Sequence, residues 1–265
     1  MTFAATDTLY VALACYALGT LCALLSLFVR EKRLQHVGLL LMIAGFITHT
    51  FWIGTICTRT GHPPITNLPE ATSFVAWCVF VVELGLWIRY RVYAASFFVY
   101  PLVLLLLTIS AVVGENFKVL DPDLRSNVFI VHLLMSTLGT AGLLIGLAFG
   151  LLAYLQDRAL KQKTRGRLWE WIPSLDLCKT VSYRALAIGF SVYTIGIFAG
   201  VLWSYRTTAG LVDLRVKQIG AITAWILFGL LLQQYVSNTY RRRRTILLSA
   251  GAFIAIVVAI LGIRG

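Results

Sequence analysis

Apolar residues run along this chain in eight long blocks, and most charged side chains fall between them. The blocks cover roughly residues 9–29, 37–56, 71–88, 94–113, 128–156, 185–203, 219–237 and 246–263. Each approaches or exceeds the roughly 20 residues that a helix needs to cross about 30 Å of hydrocarbon. The bilayer core offers no water to main-chain amides and carbonyls, so such a block predicts a helix that satisfies them internally. The pattern therefore predicts an all-α fold, a polytopic integral membrane bundle of eight transmembrane helices. The long helix from Asn127 to Tyr154, with His132 near its start, is expected in the middle of that bundle.

The joints are short and polar. REKR follows the first block, and CTRTGHPPITNLPE follows the second, its prolines ending the helix and its length allowing a re-entrant turn. The longest joint, QDRALKQKTRGRLWEWIPSLDLCKTVSYR, carries Trp169, Trp171 and Pro173 and predicts a short helix on the membrane surface. No low-complexity linker interrupts the pattern, so residues 1–265 are expected to form a single transmembrane domain. The opening MTFAATDTLY has no Lys or Arg, unlike the positive start of a signal peptide, so the first helix is expected to be retained.

Composition supports the membrane reading. The chain is 59% hydrophobic and only 13% charged, far from the balance of a soluble domain. Its net charge of +12 does not read as a nucleic-acid surface, because the basic residues lie in loops with no base-stacking pattern around them. They set orientation instead. Of 23 Lys and Arg, 16 fall in the loops after the first, third, fifth and seventh blocks and 7 on the other side. The positive-inside rule makes the richer side cytoplasmic and puts both termini outside, as an even number of crossings requires.

The five cysteines show no CxxC spacing and read as small core residues. The absence of CxxCH excludes a c-type cytochrome. No HExxH, Walker loop, Gly-x-Ser-x-Gly or paired carboxylate is present, which points away from an enzyme. What remains is histidine. At about 1.5 Å per residue, His49 lies roughly 10 Å and His132 roughly 6 Å below the outer interface. Two neutral imidazoles in one layer on facing helices suit the two axial positions of a b-type haem held edge-on between them. Arg59, Lys118, Arg125 and Arg206 fall on the same outer side, where cations meet propionates. The competing reading is that each histidine hydrogen-bonds a neighbouring helix. His62 reads as interfacial and His36 as a surface residue. Glu83 either pairs with Arg89 or a neighbouring helix, or has a proton or substrate role. Gly139, Gly142, Gly146 and Gly150 form a face for close helix packing or for a flat cofactor.

Three segments resemble one family. ITNLPEATSFVAW at residues 65–77 is similar to the TNLYESLLFFAW type of segment in the cytochrome c assembly superfamily, the CcsA, CcmC and HemX proteins. FIVHLLMSTLGTAGLLIG resembles its VHV..M...YA.L helix, and YRALAIGFSVYTIGIFAGVLWS at residues 183–204 its GF..LT.GI..GA.WA helix. The pattern is nearest the HemX and YpjD type of branch. The resemblance implies haem handling on the outer face, where a tryptophan-rich WGxxWxWD segment lies over haem between flanking histidines. His132 falls on the first of these. The chain departs elsewhere: SYRTTAGLVDLRVKQIGAITA, between Trp203 and Trp225, has no tryptophan. Gln233 and a position near Arg264 stand where the family has histidines.

The expected function is a non-enzymatic, haem-handling accessory protein of cytochrome c biogenesis or haem metabolism in a bacterial inner membrane. It is expected to bind haem b through His49 and His132, with Arg59, Arg125 and Arg206 as cofactor-binding residues. Its expected partners are haem, the lipid bilayer and cytochrome c maturation proteins. The alternative is a cofactor-free membrane scaffold that regulates glutamyl-tRNA reductase, as the HemX resemblance implies, or assembles another complex through the basic joint at residues 157–184. A third reading, a transporter, would use Glu83, Gln233 and Gln234.

Overall fold

A computed structural model of the protein describes residues 3–29, 31–61, 67–90, 93, 96–114, 126–162, 173–207, 216–237 and 242–261. Among them it has eight helices: α1 (Phe3–Val29), α2 (Lys32–Thr60), α3 (Leu68–Tyr90), α4 (Ser96–Val113), α5 (Asn127–Lys161), α6 (Leu175–Thr207), α7 (Val216–Val236) and α8 (Arg242–Leu261). Six of them, α1 to α6, are long and apolar enough to cross a membrane. Phe28, Val112, Phe198 and Leu40 turn outward with 65–79% of their surface exposed. Such a rim would be a liability in water and is ordinary in lipid. The chain is a multi-pass membrane protein.

Local chemistry sets the helix ends. Ser126 Oγ accepts the Phe129 amide 3.2 Å away at the start of α5, which satisfies one of the first-turn donors that the helix cannot. At the end of α2, Gly61 takes φ +75° and its amide closes onto the Cys57 carbonyl at 2.9 Å. That left-handed cap favours a residue without Cβ.

Buried residues from all eight helices form one contiguous apolar cluster. Within it α1 pairs with α2 and α4, α3 with α4, α5 with α6, and α7 with α8 and α6. Helix α3 is the most enclosed of the six apolar helices, and it packs on α2 and α4 and also on α5 and α8. The tightest joint is α5 against α6. A Cβ placed on Gly139 would stand 2.6 Å from the Tyr193 backbone, one on Gly142 3.0 Å from Gly189 Cα, and one on Gly196 2.6 Å from the Ser136 amide nitrogen. Each step of three or four residues along α5 is answered by a step of three or four back along α6, so the glycines make an antiparallel seam in which main chains touch. The glycine face thus serves close helix packing. In lipid, where apolar burial gives little drive between helices, such small-residue seams supply the contact that holds them.

The eight helices match the eight apolar blocks, but several of their ends lie further out. Helix α2 starts at Lys32 and runs to Thr60, and α6 begins at Leu175, about ten residues before its apolar block. The Ser174 hydroxyl accepts the Leu177 amide at 3.3 Å, so residues 175–184 of the basic joint are the first turns of α6. Trp169 and Trp171 lie outside the described residues. These polar turns are invisible to hydropathy because they lie beyond the hydrocarbon.

The seam can be tested directly. Gly139→Ala forces a methyl group into the Tyr193 backbone and is expected to cost about 1–3 kcal/mol, the usual penalty of overpacking. It should lower the melting temperature of the detergent-solubilised protein. Gly54→Ala, whose Cβ would meet nothing within 4 Å, should leave it unchanged.

Candidate functional site

His132 sits in the second turn of α5, half-buried. Its Nδ1 lies 2.7 Å from the carbonyl oxygen of Gly196 on α6. A carbonyl only accepts, so Nδ1 carries the proton and donates, and in the neutral ring the lone pair is on Nε2. Phe129, one turn earlier, has its ring centroid 6.4 Å from the imidazole and 4.9 Å from the Trp203 ring on α6. Arg206, exposed in the last turn of α6, follows Trp203 by three residues and so lies close to its face of the helix. The end of the α5–α6 pair at the start of α5 therefore gathers an oriented imidazole and two aromatic rings, with a cation in the last turn of α6.

His49 has another environment. It is completely buried on α2, with the Tyr16 hydroxyl of α1 at 3.3 Å from Nδ1 and Ser73 Oγ of α3 at 2.7 Å from Nε2. A neutral imidazole has one N–H and one lone pair, so one hydroxyl accepts and the other donates. The seam of α1 and α2 builds this arrangement: a Cβ on Gly45 would stand 2.7 Å from the Tyr16 ring, so Gly45 leaves room for the tyrosine. Both nitrogens thus bond to neighbouring helices, and ligation through Nε2 requires the Ser73 bond to break.

The structure brings His132, Phe129 and Trp203 together, with Arg206 three residues beyond Trp203 on α6, and it places His49 and Arg59 on a different helix. His49 lies eleven residues before the end of α2, about 16 Å along its axis, whereas His132 is five residues into α5, about 7 Å. Their principal neighbours also differ, α1 and α3 for one helix and α6 and α3 for the other. Arg59 is exposed in the last turn of α2. Arg125, Lys118 and His62 lie outside the described residues. His36 is exposed, as expected, and its ring meets Tyr93 at 5.4 Å. Glu83 pairs with a neighbouring helix rather than with Arg89: it accepts Ser96 Oγ of α4 at 3.2 Å, while the Arg89 guanidinium lies over the Tyr90 ring. Of the two glutamines, Gln233 is exposed, and Gln234 accepts the Thr245 hydroxyl of α8 at 2.8 Å. Among the described residues no three His, Cys, Asp or Glu gather as a metal site.

The sequence profile of the family described as cytochrome C assembly protein matches residues 65–265. The chain belongs to this family. It is 25% identical to the cytochrome c biogenesis protein CcsA of Guillardia theta over 97% of this chain and 90% of that one. It is 26% identical to CcsA of Prochlorococcus marinus strain MIT 9301 over 77% and 74%, and 24% identical to CcsA of Mesostigma viride over 86% and 79%. The family match begins at the ITNLPEATSF segment, and the structure explains part of its chemistry. Asn67 Oδ1 accepts the Glu70 amide at 2.9 Å, while Asn67 Nδ2 donates to Glu70 Oε1 at 3.0 Å. The two side chains form a reciprocal cap, and Pro69 sits in the first turn, where its missing N–H is not needed. Helix α3 therefore starts a few residues earlier than the apolar block predicts. The Asn-x-x-Glu spacing was the signal that could have located it.

Asn67→Ala removes an N-cap of the most enclosed apolar helix and is expected to cost about 1 kcal/mol. Thermal unfolding should show the loss, and Asn67→Asp, which keeps an acceptor for the amide but sets a carboxylate beside Glu70, should recover only part of it.

Proposed function

We propose that this protein is a non-enzymatic, haem-handling accessory factor of cytochrome c biogenesis, which receives haem at the outer end of the α5–α6 pair with His132 as an axial ligand. The observation that carries this reading is the Nδ1–H bond from His132 to the Gly196 carbonyl. Metal-ligating histidines characteristically donate their second nitrogen to a backbone carbonyl or carboxylate, which sets the ring and raises the basicity of the ligating atom. Phe129 and Trp203 offer flat apolar surface beside it, and Arg206 a cation for a propionate. Cytochrome c carries haem, so a biogenesis factor has haem or the apoprotein as its cargo, and the relatives named CcsA support that setting. The absence of CxxCH favours non-covalent, b-type binding.

His49 has the structural role in this reading. Its two hydrogen bonds tie α1, α2 and α3 together, and their loss would leave buried hydroxyls to be satisfied elsewhere. The tryptophan-free segment between Trp203 and Trp225, with Gln233 in place of a family histidine, supports an accessory role over a complete synthase. The charge distribution supports eight crossings with both termini outside, in a bacterial cytoplasmic membrane. The three relatives are all named CcsA and lend nothing to a HemX-like placement or a glutamyl-tRNA reductase partner. The basic joint proposed for such a partner also shortens to residues 162–174, because α5 and α6 claim its two ends.

The test is an absorption spectrum of the purified protein supplied with hemin, oxidised and reduced. The wild type should show the Soret and alpha bands of a histidine-ligated haem. His132→Ala should lose that signature, and His49→Ala should keep it while melting at a lower temperature. A colourless wild type, or an unchanged spectrum in His132→Ala, would refute the reading.

A further inference from the structure

We infer that two glycines of α6 aim His132: Gly196 through its carbonyl, which fixes the Nδ1–H tautomer, and Gly200 through its missing side chain, which admits the ring. The inference rests on the proposed function for what the ring meets, but not for how the ring is held.

The imidazole lies against the α6 main chain. A Cβ on Gly200 would stand 2.6 Å from both Cε1 and Nδ1 of His132. That is well inside any van der Waals contact, so ring and methyl group cannot share the space. Retreat of α6 to make room would give up the backbone contact one turn away, where the Cβ position of Gly196 is 2.6 Å from the Ser136 amide nitrogen and 2.8 Å from its Cα. The two backbones touch there, and Gly139 and Gly189 continue the contact further along. A methyl group at position 200 must therefore turn the imidazole. Turning it breaks the 2.7 Å bond from Nδ1 to the Gly196 oxygen, and with that bond goes the constraint that keeps the lone pair on Nε2. Gly196 and Gly200 are thus positioning residues: they act through His132. A glycine that served packing alone would change stability without changing the tautomer.

The tautomer is read without any cofactor. The full-length protein, labelled with 15N-histidine and held in detergent, contains four histidines, and the His132 signals are those lost in His132→Gln. The wild type should show a protonated Nδ1 and an unprotonated Nε2 at this residue. Gly200→Ala should lose that pattern, and Gly54→Ala, whose Cβ meets nothing within 4 Å, should keep it. In a hemin titration Gly200→Ala should bind roughly ten- to a hundredfold more weakly, the range seen when an outer partner of a ligand is removed. Added imidazole should restore its low-spin spectrum by supplying the misaimed ligand. A wild-type His132 protonated on Nε2 alone would overturn the inference, and that measurement decides even if Gly200→Ala does not fold. So would a folded Gly200→Ala that keeps both tautomer and affinity. A wild type with the Nδ1–H tautomer that binds no hemin supports the aiming while refuting the haem reading.

Discussion

The backbone contact between α5 and α6 is the interaction on which the rest of the structure depends. Helices in a bilayer gain little by exchanging lipid for one another, so they associate where their surfaces approach closely enough for dense van der Waals contact. Gly139, Gly142 and Gly146 on one helix face Tyr193, Gly189 and Leu186 on the other at regular intervals. A single side chain added at most of these points would separate the pair. Because the seam is regular, it fixes the axial register of α6 against α5, and so determines which α6 carbonyl lies under His132. The candidate site follows from the same constraint that holds the pair together.

The second glycine seam, between α1 and α2, works in the same way to a different end. Gly19 and Gly38 bring the two helices together, and Gly45 gives the Tyr16 ring its place. The hydroxyl then reaches His49 in a region closed to solvent. Several polar groups inside this bundle meet a partner on an adjacent helix, which offsets the cost of burying them. Ser182 bonds Gly146 and Tyr235, Trp225 bonds Thr194, and Glu83 bonds Ser96. His49 belongs with these ties. His132 differs because it is half-buried near a helix end, beside Phe129 and Trp203.

Helix α3 links these two environments. It carries Ser73 against His49 and Glu83 against α4, and it packs on α5 along another face. The Asn67–Glu70 cap fixes its first turn at the start of the region matched by the family profile. Any coupling between the α1–α4 group and the α5–α6 site passes mainly through this helix, since it is the principal contact between them.

The eight helices, their approximate centres and His132 as a candidate were legible from the amino-acid order alone. Hydropathy is a property of neighbours in sequence, and a membrane helix satisfies its main chain within its own segment. The polar turns at Lys32–His36, Thr58–Thr60 and Leu175–Arg184 were not legible, because a helix continues beyond the bilayer on capping and packing rather than on apolar content. The sequence placed His49 and His132 only by depth along their own helices, roughly 10 Å and 6 Å below the interface, which says nothing of what each ring meets. The residues that meet them are Tyr16 and Ser73 in one case and Gly196, 64 residues away, in the other. Only the tertiary structure decides such contacts, because they depend on the register of one helix against the next. That register is set by where two glycine faces fit together.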